Sequence, residues 1–110
     1  MGYLKYGETR HEFDDRVLAH LKVAIQRKLK KHQSFLLSWE VVPPSTGRVS
    51  LWMSPAIPLT FHFSGARVAA INEVWATVLE RSASTPRGMV VVSEDDAMRL
   101  IQKLAMPDAG

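Results

Sequence analysis

Apolar and polar residues alternate with two different periods along this chain, and each change of period marks a predicted element. Between residues 14 and 31 the apolar residues recur every three or four positions, which is the period of one helix face. Asp14 and Asp15 supply a cap and negative charge at the start of this helix, and a run of cations ends it. The residues that we expect on its buried face are Leu18, Leu21, Ile25 and Leu29.

On both sides of this helix the period falls to two, which indicates strands. The segments that flank Gly7 predict a hairpin at the start of the chain. Three further segments, over residues 34–42, 48–54 and 59–63, are joined by turns that contain proline. Because three consecutive strands with short connections usually pair in order, we expect an antiparallel meander with one buried face.

The last third of the chain predicts a helix, a short strand and a final helix. Asn72 is a suitable cap for the first of these helices, and Ser93 is a suitable cap for the second. Residues 89–92 form a β-branched run between them, and we expect Ala97, Met98, Ile101 and Leu104 on the inner side of the final helix. The predicted order is ββαβββαβα, an α+β fold with helices on one face of a mainly antiparallel sheet. We expect one domain over residues 1–106 and a short tail over 107–110.

Composition narrows the class of protein without naming an activity. A chain of 110 residues with 46% hydrophobic and 23% charged residues is typical of one globular domain. The absence of cysteine excludes disulfides, thiolate nucleophiles and cysteine-ligated metals. No apolar run reaches the ~20 residues of a membrane span, and the first residues lack the apolar core of a secretory signal. We therefore expect a cytoplasmic protein that does not contact membranes.

The basic excess of the protein lies entirely on the first helix. Residues 16–32 contain six Lys and Arg and no acid, whereas the rest of the chain holds eight cations and eleven acids. Clustered cations favour contact with the phosphates of a nucleic acid, but a solvated face with lysines at the negative helix end has the same composition. The residues that we predict for nucleic-acid contact are Arg16, His20, Arg27, Lys28, Lys30 and Lys31, with Arg48 extending the surface.

Trp52 is predicted on the solvent side of its strand, because the alternate apolar residues of that strand take the buried side. An exposed indole often anchors a protein partner or stacks on a base, although a terminal segment or a later helix could instead cover it. We favour cover or a homodimer interface over base stacking. Leu36 and His62 are predicted beside Trp52 in this interface.

The motifs of common catalytic sites are absent from the sequence. There is no P-loop, no glycine-rich dinucleotide motif and no nucleophile elbow. The four histidines show no helical spacing that favours a metal site, and the acids at 94–96 are explained by the helix dipole. We therefore predict no catalytic residue, no metal and no cofactor.

A combination of residues that is typical of one protein family occurs in six segments of the sequence: 1–7, 14–21, 28–39, 47–52, 58–65 and 72–75. In these parts the chain resembles a family of small proteins from actinobacteria and their phages, a domain of unknown function whose members often carry the label ATP-dependent DNA ligase. The resemblance covers most of residues 1–93 and implies an association with DNA transactions. It implies no catalytic residue, because the K-x-D-G motif of the adenylated ligase lysine does not occur here.

The leading hypothesis is therefore a non-enzymatic, nucleic-acid-associated accessory module that contacts phosphates through the first helix. The alternative is a protein–protein adaptor or homodimeric regulatory protein that uses the sheet face around Trp52. A third reading has the basic helix dock on an acidic protein.

Overall fold

The computed structural model describes residues 1–41 and 45–105, and its elements follow the order that the sequence predicts. The expectations for Val42, Pro43 and Pro44, for the side chain of Leu104 and for residues 106–110 lie outside the described residues. In chain order the elements are β1 (Gly2–Tyr6), β2 (Thr9–Phe13), α1 (Asp15–Lys30), β3 (Phe35–Glu40), β4 (Arg48–Met53), β5 (Leu59–His62), α2 (Glu73–Ser82), β6 (Met89–Val90) and α3 (Glu94–Ala105).

The strands form two three-stranded sheets. The first sheet has the order β2-β1-β5 and is antiparallel throughout. The second sheet has the order β4-β3-β6, in which β3 and β4 are antiparallel and β3 and β6 are parallel. The α+β class and its mainly antiparallel pairing are confirmed. The expected meander is wrong in its last step, because β5 pairs with β1 and not with β4.

The connection between β4 and β5 explains why the chain changes sheets. It contains two prolines, and the carbonyl oxygen of the second, Pro58, accepts a hydrogen bond from the Gly7 amide at 3.0 Å. The Tyr6 hydroxyl accepts a hydrogen bond from the Ser54 amide at 2.9 Å and donates one to the Trp52 carbonyl oxygen at 2.6 Å. These contacts carry the end of β4 to the turn of the first hairpin, where β5 begins its pairing with β1.

One hydrophobic core joins the sheets and the helices. The predicted face of α1 is confirmed, since Leu18, Leu21 and Ile25 have no exposed surface and Leu29 packs against the core. Among the described side chains predicted on the inner side of the final helix, Met98 differs from the prediction, since it is 42% exposed. The other elements contribute mainly Leu4, Phe13, Phe35, Leu37, Met53, Trp75, Leu79, Met89 and Ala97.

The short strand β6 reaches β3 because Gly88 precedes it. Gly88 has a φ of 76°, which is in the left-handed region that favours glycine. A Cβ at this position would collide with the carbonyl oxygen of Leu36, so the close approach of the two chains also requires glycine. The strand is shorter than the run of residues 89–92 predicts: Met89 and Val90 lie opposite residues of β3, and the Val91 amide adds one hydrogen bond to the Ser38 carbonyl oxygen at 3.0 Å.

Each sheet has an outer face that carries exposed side chains, as expected for helices packed on the inner side. The outer face of the first sheet consists of Tyr3, Lys5, Arg10, Glu12, Thr60 and His62. The outer face of the second sheet consists of Leu36, Ser38, Glu40, Arg48, Ser50 and Trp52.

Candidate functional site

The start of the basic helix is held by two neighbouring carboxylates with separate tasks. Asp14 is the N-cap of α1, and its carboxylate accepts a hydrogen bond from the Arg16 amide at 3.0 Å. Asp15 accepts hydrogen bonds from the hydroxyl and amide of Ser64 and from the amide of Gly65. The hydroxyl bond is the largest cause of a lowered pKa of Asp15. The helix start is therefore attached to the loop that follows β5.

Arg16 is directed toward α3 and forms a bidentate ion pair. Its Nε and Nη2 atoms lie 3.1 and 2.7 Å from the two carboxylate oxygens of Glu94, and its Nη1 donates to the carbonyl oxygen of Ala70. The Asn72 side-chain amide donates to the same carboxylate at 2.8 Å. The hydrogen bonds from Arg16 and then from Asn72 lower the pKa of Glu94 to about 2. Glu94 of α3 thus joins three helices, since it accepts from Arg16 of α1 and from Asn72, which is also the N-cap of α2.

His20 is fully buried, which contradicts the prediction that it contacts phosphate from an exposed face. Its Nδ1 lies 2.7 Å from the carbonyl oxygen of Arg16, and its Nε2 lies 2.8 Å from the backbone nitrogen of Asn72. A carbonyl only accepts and an amide N–H only donates, so the ring is neutral with its proton on Nδ1. The ring stacks on Trp75 with centroids 4.2 Å apart. The periodicity misplaced His20 because α1 packs against α2 as well as against the sheets.

The cations at the other end of α1 contact α2 and the residues just after it. Arg27 donates to Glu73 and Glu80, and Lys31 lies 3.7 Å from the second oxygen of Glu80. These contacts raise the pKa of Arg27, with the hydrogen bond to Glu73 as the largest cause. Lys28 donates to the hydroxyl of Ser84 at 2.7 Å, which leaves its charge unneutralised.

Lys30 is the predicted contact residue of α1 that keeps an exposed side chain with no acidic partner among the described residues. It lines an open groove of about 360 Å³ together with Leu29 of its own helix and with Leu59 and Phe61 of β5. The groove wall is mostly apolar, and Lys30 supplies the charge at its rim. Phosphate contact through α1 would therefore centre on this end of the helix.

Trp52 is 63% exposed on the outer face of the second sheet, as predicted. Leu36 is its direct neighbour on β3, and Arg48 lies exposed on the same face of β4. His62 is in the other sheet, where its ring stacks on Tyr3, because β5 pairs with β1. The structure therefore places Trp52, Leu36 and Arg48 on one face of the second sheet, whereas His62 lies in the first sheet.

A protein-family model matches residues 1–94 of the chain, and its description is a domain of unknown function, DUF7882. The chain belongs to the DUF7882 family. No curated protein and no solved structure matches it. The matched part of the DUF7882 domain includes all of α1 and the three acids that pair with it, Glu73, Glu80 and Glu94. The ion pairs between the helices thus lie within the family domain.

Two features of the DUF7882 domain were missed from the sequence. The first is the set of acids on α2 and α3, which are far from α1 along the chain and meet it only through helix packing. The second is the outer face of the first sheet, where Lys5 and Arg10 lie directly opposite each other. The alternation of side chains along β1 and β2 indicates this face in the sequence. The contribution of β5 to it could not be predicted, because it depends on β5 pairing with β1 and not with β4.

No helix in the ranges that the structure describes is both long and apolar enough to cross a membrane. Within the same ranges, no group of three or more histidine or carboxylate side chains is placed to hold a metal ion.

Proposed function

We propose that this domain is a non-catalytic interaction module that associates with a second copy of itself through β4. The observation that supports this most directly is the 63% exposure of Trp52 on an edge strand. A large exposed aromatic side chain is typical of an anchor that is buried on association, because tryptophan contributes more apolar surface than other residues. The backbone of β4 supplies the second part of the interface.

The backbone groups of β4 alternate between its partner strand and the free edge. The Val41 amide donates to the Gly47 carbonyl oxygen at 2.9 Å. Val41 and Gly47 are therefore a hydrogen-bonded pair at the end of the ladder between β3 and β4. In an antiparallel ladder such pairs alternate, and the backbone groups of Arg48, Ser50 and Trp52 therefore point away from β3. The Tyr6 hydroxyl donates to the Trp52 carbonyl oxygen, which agrees with this direction and occupies one acceptor position at that end of the edge. The outward backbone groups of Arg48 and Ser50 and the Trp52 amide form the part of the edge that is a template for another strand.

The side chains of β4 fit an antiparallel copy of the same strand. If the twofold axis passes through Ser50, then Trp52 of each copy lies opposite Arg48 of the other. Directly opposed side chains in an antiparallel pair have Cβ atoms about 5 Å apart, which allows the guanidinium to lie over the indole ring. The pairing is reciprocal, as a twofold interface requires. It also joins the outer face of the second sheet in one copy to the same face in the other copy, so the two faces form one surface.

Phosphate contact through the whole of α1 has weaker support. Arg16, Arg27 and Lys31 each have a carboxylate of α2 or α3 within 4 Å, and His20 is buried. These contacts reduce the field that the helix presents to a phosphate. The association with DNA that the sequence resemblance implies stays a prediction, and the predicted residues of α1 without a carboxylate partner in the described ranges are Lys28 and Lys30.

Sedimentation velocity over a concentration series tests the proposed pairing. We expect a concentration-dependent dimer for the natural chain and a monomer for both Trp52→Ala and Ser50→Pro. Proline at 50 removes an N–H that points to the free edge and so removes no hydrogen bond to β3. The matched control is Val68→Ala, because Val68 is 90% exposed and lies outside the strands.

Far-UV circular dichroism establishes that each variant is folded. A natural chain that remains monomeric at the highest concentration would refute the proposal. So would two folded variants that dimerise as well as the natural chain.

A further inference from the structure

The outer face of the first sheet combines exposed rings with exposed cations. Its three strands place Glu12, Tyr3 and His62 side by side in one row across the sheet. Arg10, Lys5 and Thr60 form the next row: the first two lie directly opposite each other, and Lys5 lies opposite Thr60. All of these side chains are exposed apart from Tyr3, which is half-buried between its neighbours.

Tyr3 is the centre of a stack that runs across the sheet. The Arg10 guanidinium lies over the Tyr3 ring, 3.7 Å from its centroid. The His62 ring stacks beside Tyr3 at 4.7 Å between centroids, with 19° between the planes. The stack fixes the orientation of all three groups in advance, so a ligand that contacts them loses little side-chain entropy from the protein. His62, at the β5 end of this stack, is an exposed residue.

Lys5 and Arg10 are two cations in direct opposition without an acid to separate them. The two-residue turn between Tyr6 and Thr9 makes these two residues a hydrogen-bonded pair, so the next pair, Lys5 and Arg10, is of the closer type with Cα atoms about 4.5 Å apart. Neither cation has a carboxylate within 4 Å among the described residues. Like charges directly opposed on a sheet are destabilising. An anion bound between them would remove this cost.

We propose that this face binds single-stranded nucleic acid. A backbone phosphate lies between Lys5 and Arg10, and an unpaired base stacks on the His62 ring. The Thr60 hydroxyl, in the same row as the two cations, can donate to the phosphate or sugar. A duplex does not fit this arrangement, because its bases are stacked on each other and offer no open ring face to the sheet.

Lys30 lies on the opposite side of β5 from this face. It lines a groove with Leu59 and Phe61, which alternate with Thr60 along β5 and pack against the core. The proposed contact with nucleic acid therefore rests on the sheet face and does not include Lys30.

Fluorescence anisotropy with three labelled probes tests the inference. The probes are a short single strand, the same strand with abasic sites, and the corresponding duplex. We expect salt-sensitive binding of the single strand, with the abasic strand about tenfold weaker because it keeps the phosphates and loses the stacking. Since each neutralised phosphate of a single strand contributes about 0.7 to the salt slope, the double variant Lys5→Gln with Arg10→Gln should lower the slope by about that amount, and each single variant by less.

Further variants separate stacking from charge. His62→Ala should weaken binding of the normal strand about tenfold and leave the abasic strand unchanged, whereas His62→Phe should restore it. Arg67→Gln is the matched control, because Arg67 is an exposed cation outside the strands and helices. It should leave the affinity for the normal strand nearly unchanged.

Several results would overturn the inference. These are no binding at low salt, equal affinity for the normal and abasic strands, and equal losses in Arg67→Gln and Lys5→Gln. A polyglutamate peptide of the same charge that competes as well as the unlabelled strand would assign the face to acidic proteins instead.

Discussion

Replacing His20 distinguishes a buried structural histidine from the exposed phosphate contact that the sequence predicts. His20→Ala removes a ring that stacks on Trp75 and leaves the backbone N–H of Asn72 without its acceptor. His20→Phe keeps an aromatic ring of similar size and removes both hydrogen bonds of the imidazole, the one donated to the Arg16 carbonyl oxygen and the one accepted from the Asn72 amide. The two variants together separate the contribution of the stack from that of the hydrogen bonds.

The structure sets the expected size of each loss. An aromatic pair contributes about 0.5–1.5 kcal/mol beyond its buried area, and a buried N–H without a partner costs about 1–3 kcal/mol. We therefore expect His20→Ala to lower the free energy of unfolding by about 3 kcal/mol, and His20→Phe to lower it by about 2 kcal/mol. An exposed histidine would cost less than about 0.5 kcal/mol in either variant.

Urea unfolding followed by far-UV circular dichroism measures these losses. Far-UV circular dichroism is preferable to fluorescence, because the removed ring lies against a tryptophan. Gln26→Ala is the control, since Gln26 is an exposed residue of the same helix and alanine favours helix formation. Losses below about 0.5 kcal/mol in both His20 variants, with unchanged urea dependence, would refute the buried position of this ring.

Two further predictions concern contacts that join elements. Tyr6→Phe removes the hydroxyl that connects the first sheet to the end of β4, and urea unfolding should show a loss of about 1 kcal/mol with an unchanged fold; a loss as small as that of Gln26→Ala would contradict the contact. Glu94 has its pKa lowered from 4.5 to about 2 in the folded state, so the stability that it contributes is present above pH 4.5 and is lost as the pH falls toward 2. Urea midpoints measured across this range should fall less steeply in Glu94→Gln than in the natural chain, and parallel curves would exclude the ion pair with Arg16.

The local features of the fold could be predicted because each depends on neighbouring residues. The caps Asp14 and Asn72 accept the expected backbone hydrogen bonds, and the Ser93 hydroxyl accepts one from the Asp96 amide. The buried face of α1 and the exposed side of β4 follow from periods of 3.6 and 2. These predictions need only the chain within one or two turns of the residue concerned.

The predictions that were wrong concern contacts between distant parts of the chain. The sequence contains no local signal that β5 joins β1, so it could not place His62 beside Tyr3. The cations of α1 were likewise predicted to form an exposed positive surface. Glu94, which follows Arg16 by 78 residues in the chain, instead neutralises the first cation of the helix. A count of charges along one helix does not measure the field that the folded helix presents.

The two proposals concern different sheets, so self-association and nucleic-acid binding can each be lost without the other. Pairing through β4 extends the second sheet and uses none of the residues on the outer face of the first sheet. A dimer would then carry two nucleic-acid faces, and a strand long enough to reach both would gain affinity from the high effective concentration of the second face. A short strand would gain nothing. Loss of self-association would therefore leave the affinity for short strands unchanged, and loss of strand binding would leave the pairing of β4 unchanged.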